Sequence, residues 1–148
     1  MTEPTVDYDD QDAVLARIPA AALHERLGIE LLEARPGRVV GRMPVDGNTQ
    51  PYGLLHGGAS CVLAEGLGSF AATLHGMGMS PRRVAIGVDI NATHHRAVRT
   101  GFVTGVATPA FLGGSAVTYE VVIDDESGRR VCTARLTCLL RPASDYAV

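Results

Sequence analysis

Apolar residues recur along the chain in three rhythms, and each rhythm predicts a different element. Val14, Leu15, Ile18, Ala22, Leu23 and Leu27 return at helical spacing with Pro19 among them, which predicts two short helical turns or one kinked helix. Ile29, Leu31 and Leu32 then lead into Arg35-Pro36-Gly37, and Val39 to Val45 leads out again, so Gly28 to Val45 reads as a hairpin. A loop rich in Gly, Asn and Pro follows from Asp46 to Gly53. The run from Leu54 to Leu74 is too long for a strand, so it predicts a helix starting near His56-Gly57 and stopping near Gly76. Almost no polar stripe interrupts it, and a helix apolar on every side is a buried helix.

Beyond Gly78 and Pro81 the rhythm changes. Arg83 to Thr93, Gly101 to Leu112, Ala116 to Asp124 and Arg130 to Arg141 are rich in Val, Ile, Thr and Tyr, and turn residues separate them. Together with the hairpin this predicts an α+β fold: a curled antiparallel sheet of five to six strands wrapped around one long buried helix. The acidic, aperiodic residues 1–13 are expected to be a poorly ordered tail, and 14–148 a single domain.

Composition narrows the function. The 148 residues carry a formal charge of −3 and no Lys/Arg-rich run, so the chain has no basic field for nucleic acid or an anionic membrane surface. No apolar stretch reaches the roughly 18 residues of a membrane span, and the residues after Met1 do not read as a leader, so a cytoplasmic protein is expected. Cys61, Cys132 and Cys138 form no C-x-x-C pair and read as reduced core residues. The last two would share one face of a strand.

Glu65 stands in the middle of the apolar helix, with no Lys or Arg between Arg42 and Arg82 to pair with it. Either it reaches solvent or a hydrogen-bonded pocket without further role, or it is a catalytic base or nucleophile. The helix begins at His56-Gly57-Gly58, where unpaired backbone N–H groups sit at the positive end of the dipole and glycines admit a substrate oxygen. Gly57 and Glu65 are eight residues apart, about 12 Å along a helix at about 1.5 Å per residue, too far for both to touch one carbonyl. Two helices packed antiparallel would bring the start of one beside the middle of the other. A homodimer sharing two equivalent active sites is therefore expected.

The segments Met43 to Ser69, Asn91 to Arg96 (NATHHR) and Gly128 to Arg135 (GRRVCTAR) resemble, in order and spacing, the hotdog-fold acyl-CoA thioesterases of the PaaI-like type. The similarity runs from about Leu27 to Leu140. It is greatest with the bacterial branch that holds the dihydroxynaphthoyl-CoA thioesterase of menaquinone biosynthesis and the proofreading thioesterase of enterobactin synthesis. The resemblance implies a hotdog fold, hydrolysis of an aryl or other acyl thioester of coenzyme A or of a carrier protein, no cofactor, and pairing of dimers into a homotetramer.

Residue by residue, the resemblance implies that Glu65 attacks the thioester carbonyl or activates water. It implies that the N–H of Gly57 polarises that carbonyl, that Gln50 and His56 orient the thioester, and that Ser69 helps hold the water. Gly58 lies at the same helix start, and Asn91, His94, His95 and Arg96 would line the pocket and the passage for the pantetheine arm. Gly66 departs from the family's Ser or Thr and is expected to enlarge the acyl pocket.

Other chemistries fit less well. His94 and His95 are adjacent and would point to opposite faces of a strand, and His24 and His75 belong to other segments, so no metal site is expected. Cys61 lies one turn before Glu65, but apolar surroundings raise a thiol's pKa and favour packing over nucleophilic attack. A hotdog enoyl-CoA hydratase or dehydratase, and an acyl-CoA-binding sensor that does not cleave, are the alternatives to the thioesterase.

Overall fold

The computed structural model describes residues 7–19 and 21–146. Two short helices, α1 (Gln11–Leu15) and α2 (Ala22–Leu27), precede the hairpin β1 (Glu30–Arg35) and β2 (Arg38–Pro44). The long helix α3 (Gly57–Met77) follows, then β3 (Arg83–His94), β4 (Phe102–Leu112), β5 (Ala116–Asp125) and β6 (Arg130–Pro142). The six strands form one antiparallel sheet in the order β1-β2-β4-β5-β6-β3. Helix α3 carries the chain across from β2, near one edge, to β3 at the other.

The core lies between the sheet and one side of α3. On β6 every second residue is buried, Cys132, Ala134, Leu136, Cys138 and Leu140, and β5 contributes Val117, Tyr119, Val121 and Ile123 in the same alternation. Leu63, Ala64, Leu67 and Ala71 of α3 meet them. The phenol of Tyr119 donates to the Ala71 carbonyl at 3.2 Å, so its buried polar tip is satisfied.

Leu67 fits a notch made by Gly41 and Gly105, which are paired across β2 and β4. A Cβ on Gly41 would lie 2.7 Å from the Leu67 Cδ2 and 3.0 Å from the Glu30 carbonyl oxygen. Since Leu67 is fully buried, it has nowhere to retreat. Gly41→Ala is therefore expected to lower stability by about 1–3 kcal/mol in urea unfolding, with the fold unchanged.

Residues 1–6 of the expected tail lie outside the described residues, and at its far end Asp9, Asp10 and Gln11 make specific polar contacts. The Gln11 side chain accepts from the Ala34 N–H at 2.7 Å, Asp10 caps α1 through Ala13, and Asp9 pairs with Arg35 at 3.0 Å. These polar groups hold the segment against edge strand β1, a cause that leaves no hydrophobic period. In the single chain Val62, Glu65, Ser69 and Thr73 of α3 form a half-exposed stripe.

Edge strand β3 is equally uncovered. It is 12 residues long, and Ile86, Val88 and Ile90 are 40%, 54% and 37% exposed. A long apolar edge with unpaired backbone groups is normally blunted or covered. Among the described residues no helix is long and apolar enough to cross a membrane.

Candidate active site at the start and middle of the long helix

The loop before α3 is tied down by backbone bonds. The His56 N–H donates to the Asn48 carbonyl at 2.9 Å, the Gln50 N–H to Leu54 at 2.8 Å and the Leu55 N–H to Val98 at 2.8 Å. The Asn48 amide bridges the carbonyls of Leu27 and Pro44 at 2.7 and 2.9 Å. Gln50 therefore sits on a braced loop beside the helix start. Its amide oxygen accepts from the Tyr52 N–H, which leaves the NH2 group to donate.

His56 is the N-cap of α3: its backbone is extended, and its Nδ1 accepts from the Gly58 N–H at 2.8 Å. A neutral His56 that accepts at Nδ1 carries its proton on Nε2. Among the described residues no acceptor takes the N–H of Gly57. The cap thus consumes one donor of the helix start and leaves its neighbour at the positive end of the dipole. His94 comes from the end of β3 to lie on this spot, and a Cβ on Gly57 would stand 2.8 Å from its Nε2. Truncating the cap, His56→Ala, is expected to reduce stability by about 1 kcal/mol in chemical denaturation.

Glu65 lies about 12 Å further along the helix at about 1.5 Å per residue. Its Oε1 accepts from the Ser69 Oγ at 3.3 Å. The carboxylate packs over Gly87 of β3, where any side chain would run into it. Cys138 stands opposite Gly87 in the register, and burial and then the charge of Glu65 push its thiol up to about 11. Burial also raises the half-buried Cys61, so both are held as neutral thiols.

The strip from Asn91 to Arg96 is not one surface. Asn91 pairs with Arg135 on the outer face of the sheet, and the His95 Nε2 lies 3.0 Å from the Thr133 Oγ1 on that same face. Arg96 is exposed beyond the end of β3. Only His94 of this strip reaches the helix start. At Gly66 the imidazole of His24 lies 2.5 Å from where a Cβ would stand.

Two residues that pack on α3 escape the sequence reading. Gly87 carries one signal, a glycine inside a strand, which marks a bulge or a close approach, and a bulge does fall between Gly87 and Asp89. His24 carries none, because its contact with α3 arises only on folding. Among the described residues no three of His, Cys, Asp and Glu gather as a metal ion would need.

A curled antiparallel sheet of six strands around one long helix is the hotdog architecture. The chain belongs to the thioesterase superfamily, whose family profile matches residues 52–132. It is 49% identical over 116 residues to the proofreading thioesterase EntH of Cronobacter sakazakii, covering 78% of this chain and 77% of that protein. To the EntH of Klebsiella pneumoniae it is 47% identical over 111 residues, 74% of this chain and 79% of that one. A crystal structure of a thioesterase from Haemophilus influenzae superposes with a TM-score of 0.80 at 32% identity, covering 99% of this chain and 98% of the other. A thioesterase mutant from Pseudomonas aeruginosa superposes with a TM-score of 0.77 at 34% identity over 95% and 97%. The protein is a thioesterase with the hotdog fold.

Proposed function

We propose that the protein acts as a homodimer hydrolysing an aryl or hydroxyaryl thioester, carried on coenzyme A or on the pantetheine of a carrier protein, to free acid and thiol. One observation carries this reading: each chain holds an unpaired Gly57 N–H and a hydrogen-bonded Glu65, but about 12 Å apart on one helix axis. The uncovered stripe of α3 and the bare β3 edge adjoin, so a second copy packed there places its own helix start beside this Glu65. Two such dimers then pair into a homotetramer.

In the composite site the Gly57 N–H and the Gln50 amide of one chain draw charge onto the thioester oxygen. Glu65 of the other chain works on the far side of that carbonyl. As a base it takes a proton from water held with Ser69, the water oxygen bonds to the acyl carbon, and the oxyanion collapses to expel the thiolate, which takes up the proton. As a nucleophile it would displace the thiolate first and form an anhydride that water then opens. A single turnover in 18O-labelled water separates the two. The base route puts the label in the first acid released, and the nucleophile route can leave it on Glu65.

The kinship to proteins named proofreading thioesterases supports hydrolysis as the reaction. Free-thiol release from a panel of benzoyl-, hydroxybenzoyl-, dihydroxynaphthoyl- and straight-chain acyl-CoA tests the substrate class. Turnover concentrated on the aryl thioesters is expected. Turnover confined to straight chains would contradict the aryl assignment, and saturable binding without release would mark a sensor.

A further inference from the structure

A glycine inside a strand weakens it, yet nothing in the backbone of β3 calls for one at Gly87. Gly87 is not among the glycines whose φ is positive, so an L-residue could take its conformation. The reason lies in what a side chain would meet. A Cβ built there would run into the Glu65 Oε1 and stand 3.3 Å from the Glu65 Cδ, with the Leu136 Cδ1 next at 3.6 Å, an ordinary van der Waals contact. The missing side chain therefore leaves a slot, and the atom that occupies it is a carboxylate oxygen.

Two neighbours hold the carboxylate toward that slot. The Ser69 Oγ donates to the same Oε1 at 3.3 Å from one turn further along α3. Cys138 is buried directly across from Gly87 on β6, and its thiol feels both the charge of Glu65 and the hydroxyl of Ser69. The oxygen thus stands between the helix and the β3–β6 pair. A glutamate side chain is among the most freely rotating, and one hydrogen bond of 3.3 Å restrains it weakly. The slot over Gly87 supplies the remaining restraint.

Resting on the thioesterase reading above, we infer that Gly87 is a positioning residue for the reaction: its absent side chain lets the Glu65 carboxylate stand against β3, where it meets a carbonyl held at the helix start of a second copy. A methyl group at this position would press on the far end of a flexible side chain, which can swing out along the half-exposed stripe at little cost to the fold. The chemistry tolerates no such swing, since a misplacement of about 1 Å can cost about a hundredfold in rate. Catalysis and stability therefore respond differently to the same methyl group.

The test measures thiol release by the wild-type protein, Gly87→Ala, Glu65→Asp and the double variant, each checked by sedimentation and urea unfolding. Gly87→Ala is expected to lower kcat about tenfold or more, with KM within about twofold and the unfolding midpoint unchanged. Aspartate is one methylene shorter and ends before the slot, so adding Gly87→Ala to Glu65→Asp is expected to cost at most about threefold more. A Gly87→Ala enzyme within about twofold of the wild-type kcat overturns the inference. An equal loss in the two backgrounds also overturns it, because the glycine would then serve the sheet and not the carboxylate. If Gly87→Ala folds only together with Glu65→Asp, the conflict is with the carboxylate and the inference stands; if it folds in neither background, the inference fails. If the wild-type protein cleaves no thioester, the functional reading fails by itself. The 13C NMR signal of the Glu65 carboxyl, assigned by its loss in Glu65→Gln, then decides the slot: movement in Gly87→Ala supports it, and constancy rejects it.

Discussion

Replacing Glu65 by Gln is expected to lower thiol release by about a thousandfold while the chain folds and assembles as before. The amide keeps the shape of the carboxylate and can still accept from Ser69, but it neither takes a proton from water nor attacks a thioester. Stability should change little, because Glu65 lies on the half-exposed stripe of α3, where Ser69 and the backbone of Gly87 are its neighbours. Circular dichroism and sedimentation on the same sample separate lost chemistry from lost structure. A variant with near-wild-type turnover would remove Glu65 from the mechanism.

An effect of comparable size is expected from charging the free edge of the sheet. Ile86 and Val88 are 40% and 54% exposed in the single chain, so Ile86→Lys with Val88→Lys loses little packing within a protomer. At a strand-to-strand contact between copies, however, each added ammonium would be desolvated and would face its own symmetry mate. The double variant should sediment as a folded monomer and, with the proposed site shared between chains, lose at least about a hundredfold in turnover. A stable monomer with full activity would contradict the shared site. A dimer that persists with the lysines in place would move the interface away from β3.

The long helix is legible in the sequence because its signals are local. An unbroken apolar run, glycines at the entry and a Gly near the exit set its bounds, and the observed Gly57–Met77 agrees with them to within a residue or so. The alternation in β5 and β6 is equally local. The meeting of Ser69 with Glu65 follows from four-residue spacing on one face.

What cannot be read from the sequence depends on contacts between distant segments. That His94 and His95 take opposite faces is a rule of strands. Which one faces the helix depends on the bulge between Gly87 and Asp89, which shifts the count from the start of β3. The imidazole that lies at Gly66, that of His24, comes from 42 positions earlier in the chain. The contact of Gln11 joins its side chain to a strand backbone 23 residues away.

If each active site takes Glu65 from one chain and Gly57 with Gln50 from the other, two inactive variants must rescue each other. Glu65→Gln and Gln50→Ala are purified separately, unfolded together in equal amounts and refolded, and thiol release is measured against each variant refolded alone. A heterodimer of the two has one site with both defects and one with neither. Activity is expected to reappear on mixing, approaching one wild-type site per heterodimer. If heterodimers form and the mixture stays at the level of the separate variants, each site is built within one chain and the shared site is wrong.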